Sequence, residues 1–254
     1  MIALILCIEC NKTYITEDSR KNYKFYEYEA INCVYNWRLN GGWLKDIPIY
    51  CLCCTKNIPS QKTIDKLKEL NVTYIEDYNP DIDNSNYLFL NAVYTQYYFS
   101  KLLKDYKLIY IDLDIYLQNP LPKQLIESNL ISIAYYDKQP IAPVEFVYRY
   151  NNLSVCFNTY FIIFNANDNF IEIHYKLIND LNYISFFNKY IFYKENVDTY
   201  FFEEGLFDYV YLNQLYPVNQ YNLLKSSELE QKYFIHKHLT AKDVTSIRWK
   251  KNLL

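Results

Sequence analysis

Lys107-Leu108-Ile109-Tyr110-Ile111-Asp112-Leu113-Asp114 runs into Ile115-Tyr116-Leu117-Gln118-Asn119-Pro120. A β-branched apolar run ends in two carboxylates, and Asn119-Pro120 breaks any continuation of regular structure. Such a run, bounded by turn formers, predicts a buried strand. Residues two apart in a strand point the same way. Asp112 and Asp114 therefore face one point if the chain stays extended through Leu113. Neither carboxylate stays ionised in an apolar interior without a partner. A divalent cation resolves both the burial and the repulsion, and hard oxygen ligands suit Mg²⁺ or Mn²⁺. The plainer reading is a strand that has reached solvent. What raises the motif above it is its setting between a buried strand and a turn.

Upstream of this stretch, strand and helix patterns alternate. Ile2 to Ile8 is continuously apolar and reads as a first strand, buried on both faces. Glu9 to Asn22 is polar and reads as a loop. Tyr23 to Leu39 carries a helical spacing of Tyr26, Ala30, Val34 and Trp37, ended by Asn40-Gly41-Gly42. Ile47 to Cys54 reads as a strand. Ser60 is a candidate N-cap for a helix with Ile64, Leu67 and Leu70 on one face. Val72 to Ile75 reads as a strand, Asp77 to Asn86 as a loop, and Tyr87 to Leu103 as a long aromatic helix. The alternation predicts an α/β fold: a Rossmann-like, mostly parallel central sheet flanked by helices. Ligands then bind beyond the carboxyl ends of the strands, where Ile8, Glu9, Asp112 and Asp114 fall.

The second half is less regular, and a smaller antiparallel part is expected there. Leu130 to Tyr136 and Val155 to Phe164 read as strands, the latter with Asn158 inside it. Gln139 to Asn152 reads as a loop, and Asn167 to Leu181 and Asp198 to Val210 as helices. Tyr211 to Leu215 is expected to be a strand halted by Pro217, and Tyr233 to Ile235 is a short apolar run into His236. No repeat or linker interrupts the chain, which is read as one domain over 1–254, with a nucleotide-binding half (1–117) and an acceptor-binding half (118–254).

Composition narrows the function. The chain has 254 residues with a formal net charge of −3, which gives no reason to expect nucleic acid. There are 30 tyrosines and 3 glycines, a bias typical of an AT-rich genome such as a viral one. Gly41, Gly42 and Gly205 cannot build a glycine-rich phosphate loop, a dinucleotide fingerprint or a nucleophile elbow. If a nucleotide binds, something other than a glycine loop must hold its phosphates, and a metal on Asp112 and Asp114 is the obvious substitute. The 7 cysteines show no secretory spacing. Met1 to Ile8 is too short for a signal peptide, and no stretch spans a bilayer. A reduced, cytoplasmic protein is expected. Cys7-x-x-Cys10 with Cys51-Leu-Cys53-Cys54 could be weighed as a zinc site, but both clusters read better as core strands, where free cysteine is a small hydrophobe. His174 is read as a packing residue.

Four blocks, in order along the chain, resemble the GT-A glycosyltransferases, closest to glycosyltransferase family 8, the glycogenin and galactosyltransferase group. Tyr110-Ile111-Asp112-Leu113-Asp114 is similar to the family's Tyr-Leu-Asp-x-Asp block. Phe157-Asn158-Thr159-Tyr160 resembles its Phe-Asn-Ser-Gly strand. Glu203-Glu204-Gly205-Leu206-Phe207-Asp208 resembles its Asp-Gln-Asp-x-Leu-Asn block. His236, with Lys242 six positions on, resembles the closing His-x-x-Gly-x-x-Lys. Departures occur at Tyr160, where the family has glycine, at Glu203, Glu204 and Gly205, and at Leu239.

The resemblance implies a hexosyltransferase that moves a sugar from a nucleotide sugar, most often a UDP-sugar, to a glycan or glycoprotein acceptor, with Mn²⁺ (or Mg²⁺) and with retention. Asp112, Asp114 and His236 would bind the metal, with His238 as the competing imidazole. Ile8, Glu9, Asp112, Leu113 and Lys242 would contact the nucleotide and its phosphates. Asn158, Glu203 and Glu204 would line the catalytic sugar and acceptor pocket. A homodimer is compatible with this reading. The rivals are a catalytically degenerate carbohydrate-binding module of the same fold and an aspartate-nucleophile phosphohydrolase.

Overall fold

A computed structural model describes residues 1–9, 24–83, 90–135, 157–185 and 202–236. The elements run β1 (Ile2–Cys7), α1 (Lys24–Asn40), β2 (Ile49–Cys53), α2 (Gln61–Glu69), β3 (Val72–Glu76), α3 (Pro80–Asp83), α4 (Leu90–Leu102), β4 (Lys107–Ile111), β5 (Ile115–Leu117), α5 (Lys123–Glu127), β6 (Ile131–Tyr135), β7 (Phe157–Asn165), α6 (Phe170–Leu177), α7 (Phe202–Leu212), β8 (Tyr221–Lys225), α8 (Ser226–Lys232) and β9 (Phe234–His236).

Seven strands form the central sheet in the order β3-β2-β1-β4-β7-β6-β8. Among the described residues only β7 runs against the rest: it is antiparallel to β4 and β6, and the other pairings described in this sheet are parallel. The sheet is therefore mostly parallel, with its antiparallel strand contributed by the second half. Alternation along the strands splits the core into two layers. Ala3, Ile5, Cys7, Leu108 and Tyr110 meet α4, α6 and α7 on one face. Leu4, Leu6, Ile8, Ile109 and Ile111 meet α1, α2, α5 and α8 on the other. Both faces of β1 and β4 are dry, which is why these strands read as unbroken apolar runs.

Several boundaries differ from the sequence reading. Ser60 does cap α2, its side chain accepting from Thr63 N–H. Residues 80–83, read as loop, form α3. The expected strand over Tyr211–Leu215 is not one. Residues 211–212 finish α7, and the strand, β8, begins beyond Pro217. The extended run through Leu113 is also interrupted: Ile115 N–H donates to the Asp112 carbonyl at 3.2 Å, closing a turn over Leu113-Asp114. The chain re-emerges as β5, which leaves the main sheet to pair with β9 in a two-stranded antiparallel ribbon. No helix among the described residues is long and apolar enough to cross a membrane.

Candidate active site

Parallel strands bring their carboxyl ends to one edge. Here β1 is flanked by β2 on one side and β4 on the other. The chain winds outward from β1 through β2 to β3, then returns to β4, so the β1/β4 crevice is the switch point at which such sheets bind ligands. Glu9 and Asp112 stand at its lips.

Ile8 is buried, and its N–H donates to the Leu52 carbonyl at 2.9 Å, extending the ladder one residue past β1. Glu9 comes next. Its carboxylate is buried and its Oε2 accepts from Asn91 Nδ2 at 2.8 Å, which ties the strand end to the first turn of α4. On β4, Asp112 N–H donates to the Tyr160 carbonyl at 3.0 Å, and Asp112 Oδ1 accepts from the Tyr110 hydroxyl at 2.9 Å. Leu113 and Asp114 are both buried.

Asp112 and Asp114 do not stand alone. Cys33 on α1 is buried, and its thiol is pushed far up by burial first and then by Asp114, Asp112 and Glu29. Tyr116 is raised by desolvation and by Glu29, Cys33 and Asp114. Glu29 is itself buried. The charges of Asp114, Asp112 and Glu29 are thus all felt at the Cys33 thiol. Glu29 carries no signal in the sequence, because an acid on a helix reads as solvated; only the packing of α1 against β5 brings it here.

The distant histidine comes to the same place along the backbone. In the β5–β9 ribbon, His236 is the register partner of Ile115, the residue next to Asp114. Among the described residues no group of three or more His, Cys, Asp or Glu side chains forms a metal cluster. The donor set of Asp112 and Asp114 nonetheless consists of carboxylate oxygens, the ligand type that hard divalent cations take.

Asn158 is buried on β7, at the register shift where β6 and β7 pass from Ile133 to Ala134. Its Oδ1 accepts from Tyr160 N–H at 3.4 Å, so half of the amide serves the bulge. Tyr160 is buried and its ring meets Phe234 edge-on at 6.3 Å. The large Tyr160 side chain is thus directed into the core beneath β9. Glu203 and Glu204 lie in the first turn of α7. The block's last residue, Asp208, is buried and accepts from Phe157 N–H at 3.0 Å, pinning α7 to the start of β7. Lys242, His238 and Cys10 lie outside the described residues.

The cysteine clusters read as core. Among the described residues Cys7, Cys51, Cys53 and Cys54 are buried and form no disulfide. Hydrogen bonding to Cys54 and burial push the Cys7 thiol up. Burial raises Cys53 to about 11.

No family model matches the sequence, and no curated protein matches it. Solved structures do match. Mouse xyloside xylosyltransferase 1 superposes with a TM-score of 0.52 at 11% identity, over 88% of this chain and 84% of that one. A nucleoside-diphosphate-sugar pyrophosphorylase from Vibrio cholerae RC9 superposes with a TM-score of 0.51 at 10% identity, over 97% and 98%. The glycosyltransferase GlyE of Streptococcus pneumoniae TIGR4 gives 0.46 at 13% identity, and this chain spans only 44% of its length. At such identities the likeness shows the fold alone. That fold is GT-A-like, shared by glycosyltransferases and nucleotide-sugar pyrophosphorylases.

Proposed function

We propose that the protein is a metal-dependent glycosyltransferase that moves a sugar from a nucleotide sugar, a UDP-sugar in the leading reading, to a glycan or protein acceptor with retention. One observation carries this. The turn holding Asp112 and Asp114 sits at the switch point of a GT-A-like sheet, and the β5–β9 register lays His236 against it.

In this reading Asp112, Asp114 and His236 would hold Mn²⁺ or Mg²⁺, which would supply Lewis-acid stabilisation of the charge on the leaving diphosphate. Lys242 adds a fixed positive charge toward the same oxygens, and such preorganised charge is often the largest contribution to rate. Glu9 and the backbone of Ile8 and Leu113 border the nucleoside. Asn158, Glu203 and Glu204 border the sugar and acceptor. The single domain is divided by role, 1–117 for the nucleotide and 118–254 for the acceptor.

The test is thermal unfolding with UDP, with Mn²⁺, and with both, and then a screen of nucleotide sugars. Ligands that bind only the folded state raise its midpoint. UDP plus Mn²⁺ should stabilise more than either alone, EDTA should abolish the gain, and Asp114→Asn should remove it. Equal shifts in Asp114→Asn and the parent protein would reject the metal role.

A further inference from the structure

We infer that Tyr110 is a positioning residue for the cation, acting through Asp112. The inference rests on the proposed function, in which Asp112 is a metal ligand, and adds a residue to which that function gives no part.

The two side chains share a strand face by the period of two, and the ladder ends between them. Asp112 has its backbone fixed at both ends: its N–H is bonded to the Tyr160 carbonyl, and its carbonyl closes the turn to Ile115. What the backbone leaves undetermined is the carboxylate's own torsion. The Tyr110 hydroxyl supplies that restraint, donating to Oδ1 at 2.9 Å. The donor is itself immobile. Tyr110 is 2% exposed and packed in the layer beneath α4. A carboxylate offers about four lone-pair sites and a phenol occupies one. The bond orients the group. Ligands held in this way bind metals better, and removing such a partner typically weakens binding by about 10–100-fold.

Tyr110→Phe deletes the hydroxyl and keeps the ring, so the fold is retained. Mn²⁺ affinity is read from the electron paramagnetic resonance of free Mn²⁺ with UDP saturating. The control is Tyr216→Phe, which removes another phenol–carboxylate bond, the one to Asp168 at 2.7 Å, on the far side of β7. Tyr110→Phe should weaken Mn²⁺ binding about 10–100-fold, and Tyr216→Phe should leave it unchanged even where it lowers the unfolding midpoint. A second measurement separates positioning from general loosening: added to Asp112→Ala, which removes the acceptor, Tyr110→Phe should cause no further loss. Unchanged affinity in Tyr110→Phe, or a fully additive loss in the double variant, overturns the inference and leaves the metal reading standing. A parent protein that binds no Mn²⁺ overturns both.

Discussion

His174 has no access to water. Its Nδ1 lies 2.7 Å from the Phe170 carbonyl, so that nitrogen carries the proton. The ring is packed between Phe170 and Phe207, at centroid distances of 4.4 and 4.2 Å. Nε2 has no hydrogen-bond partner among the described residues. A second proton there would be a buried charge among aromatic rings. Burial accordingly lowers the pKa from 6.5 to about 4, with the Phe170 carbonyl pulling weakly the other way. Linkage gives the sign: between these values the unfolded chain binds the proton and the folded one does not. This contribution is complete above pH 6.5 and is lost as pH falls toward 4. From pH 7 to pH 5 it amounts to about 2 kcal/mol. Urea unfolding at the two pH values should show that loss, and His174→Phe, which keeps the aromatic stack, should remove it. An undiminished pH dependence in His174→Phe would count against a neutral, dry imidazole. The sequence shows a histidine on a helix, but its dryness depends on α7 closing over it. Glu29 is the same case in reverse. Single residues are legible when neighbours in sequence give them meaning, as for Asp112 and Asp114, and illegible when the neighbours come from elsewhere in the chain.

Elements were most legible where period and cap agreed. α2 has a capping serine and a repeating apolar face, and it forms where those place it. The failures come from turns made by residues that do not announce them. α7 ends in a Schellman turn: Leu215 N–H donates to the Val210 carbonyl and Gln214 N–H to Tyr211, with Gln214 at φ 51°. Glycine is the usual residue there. With glutamine instead, Tyr211 to Leu215 looks like an alternating strand. The turn over Leu113-Asp114 is hidden likewise, because apolar β-branched residues flank it on both sides. Gly42 is the turn that does announce itself, at φ +57°. A Cβ there would also lie 2.6 Å from Cγ and 2.8 Å from Cβ of Pro120. Gly42→Ala therefore incurs backbone strain and a clash, together about 1–3 kcal/mol. Pro120→Gly added to Gly42→Ala should return the part due to the clash and leave the part due to φ. Denaturant titration of the two single variants and the double variant measures the split, and strictly additive losses would show that Pro120 is not what Gly42 accommodates.

Across the whole molecule, the halves assigned to nucleotide and acceptor share one sheet. β4 ends the first half's parallel strands, and β7 from the second half pairs with it from Lys107↔Asn165 to Ile111↔Phe161. Every residue of β7 but the last is buried. The α/β alternation made the parallel half readable. The insertion of an antiparallel strand at β4 was not readable, since it depends on a pairing some fifty residues away in sequence. If the seam is as continuous as the register makes it, the halves cannot open separately. Parting β4 from β7 would expose two strand edges with unpaired N–H and C=O groups at once, and open edges of that kind aggregate. Unfolding should therefore be one cooperative transition. Native-state hydrogen exchange gives the sharper test: amides of Leu4 in β1 and Ile162 in β7 should share one opening free energy, equal to that of global unfolding. An Ile162 amide that exchanges through a lower-energy opening while Leu4 stays protected would mean that the acceptor half is a separate folding unit, hinged at this seam.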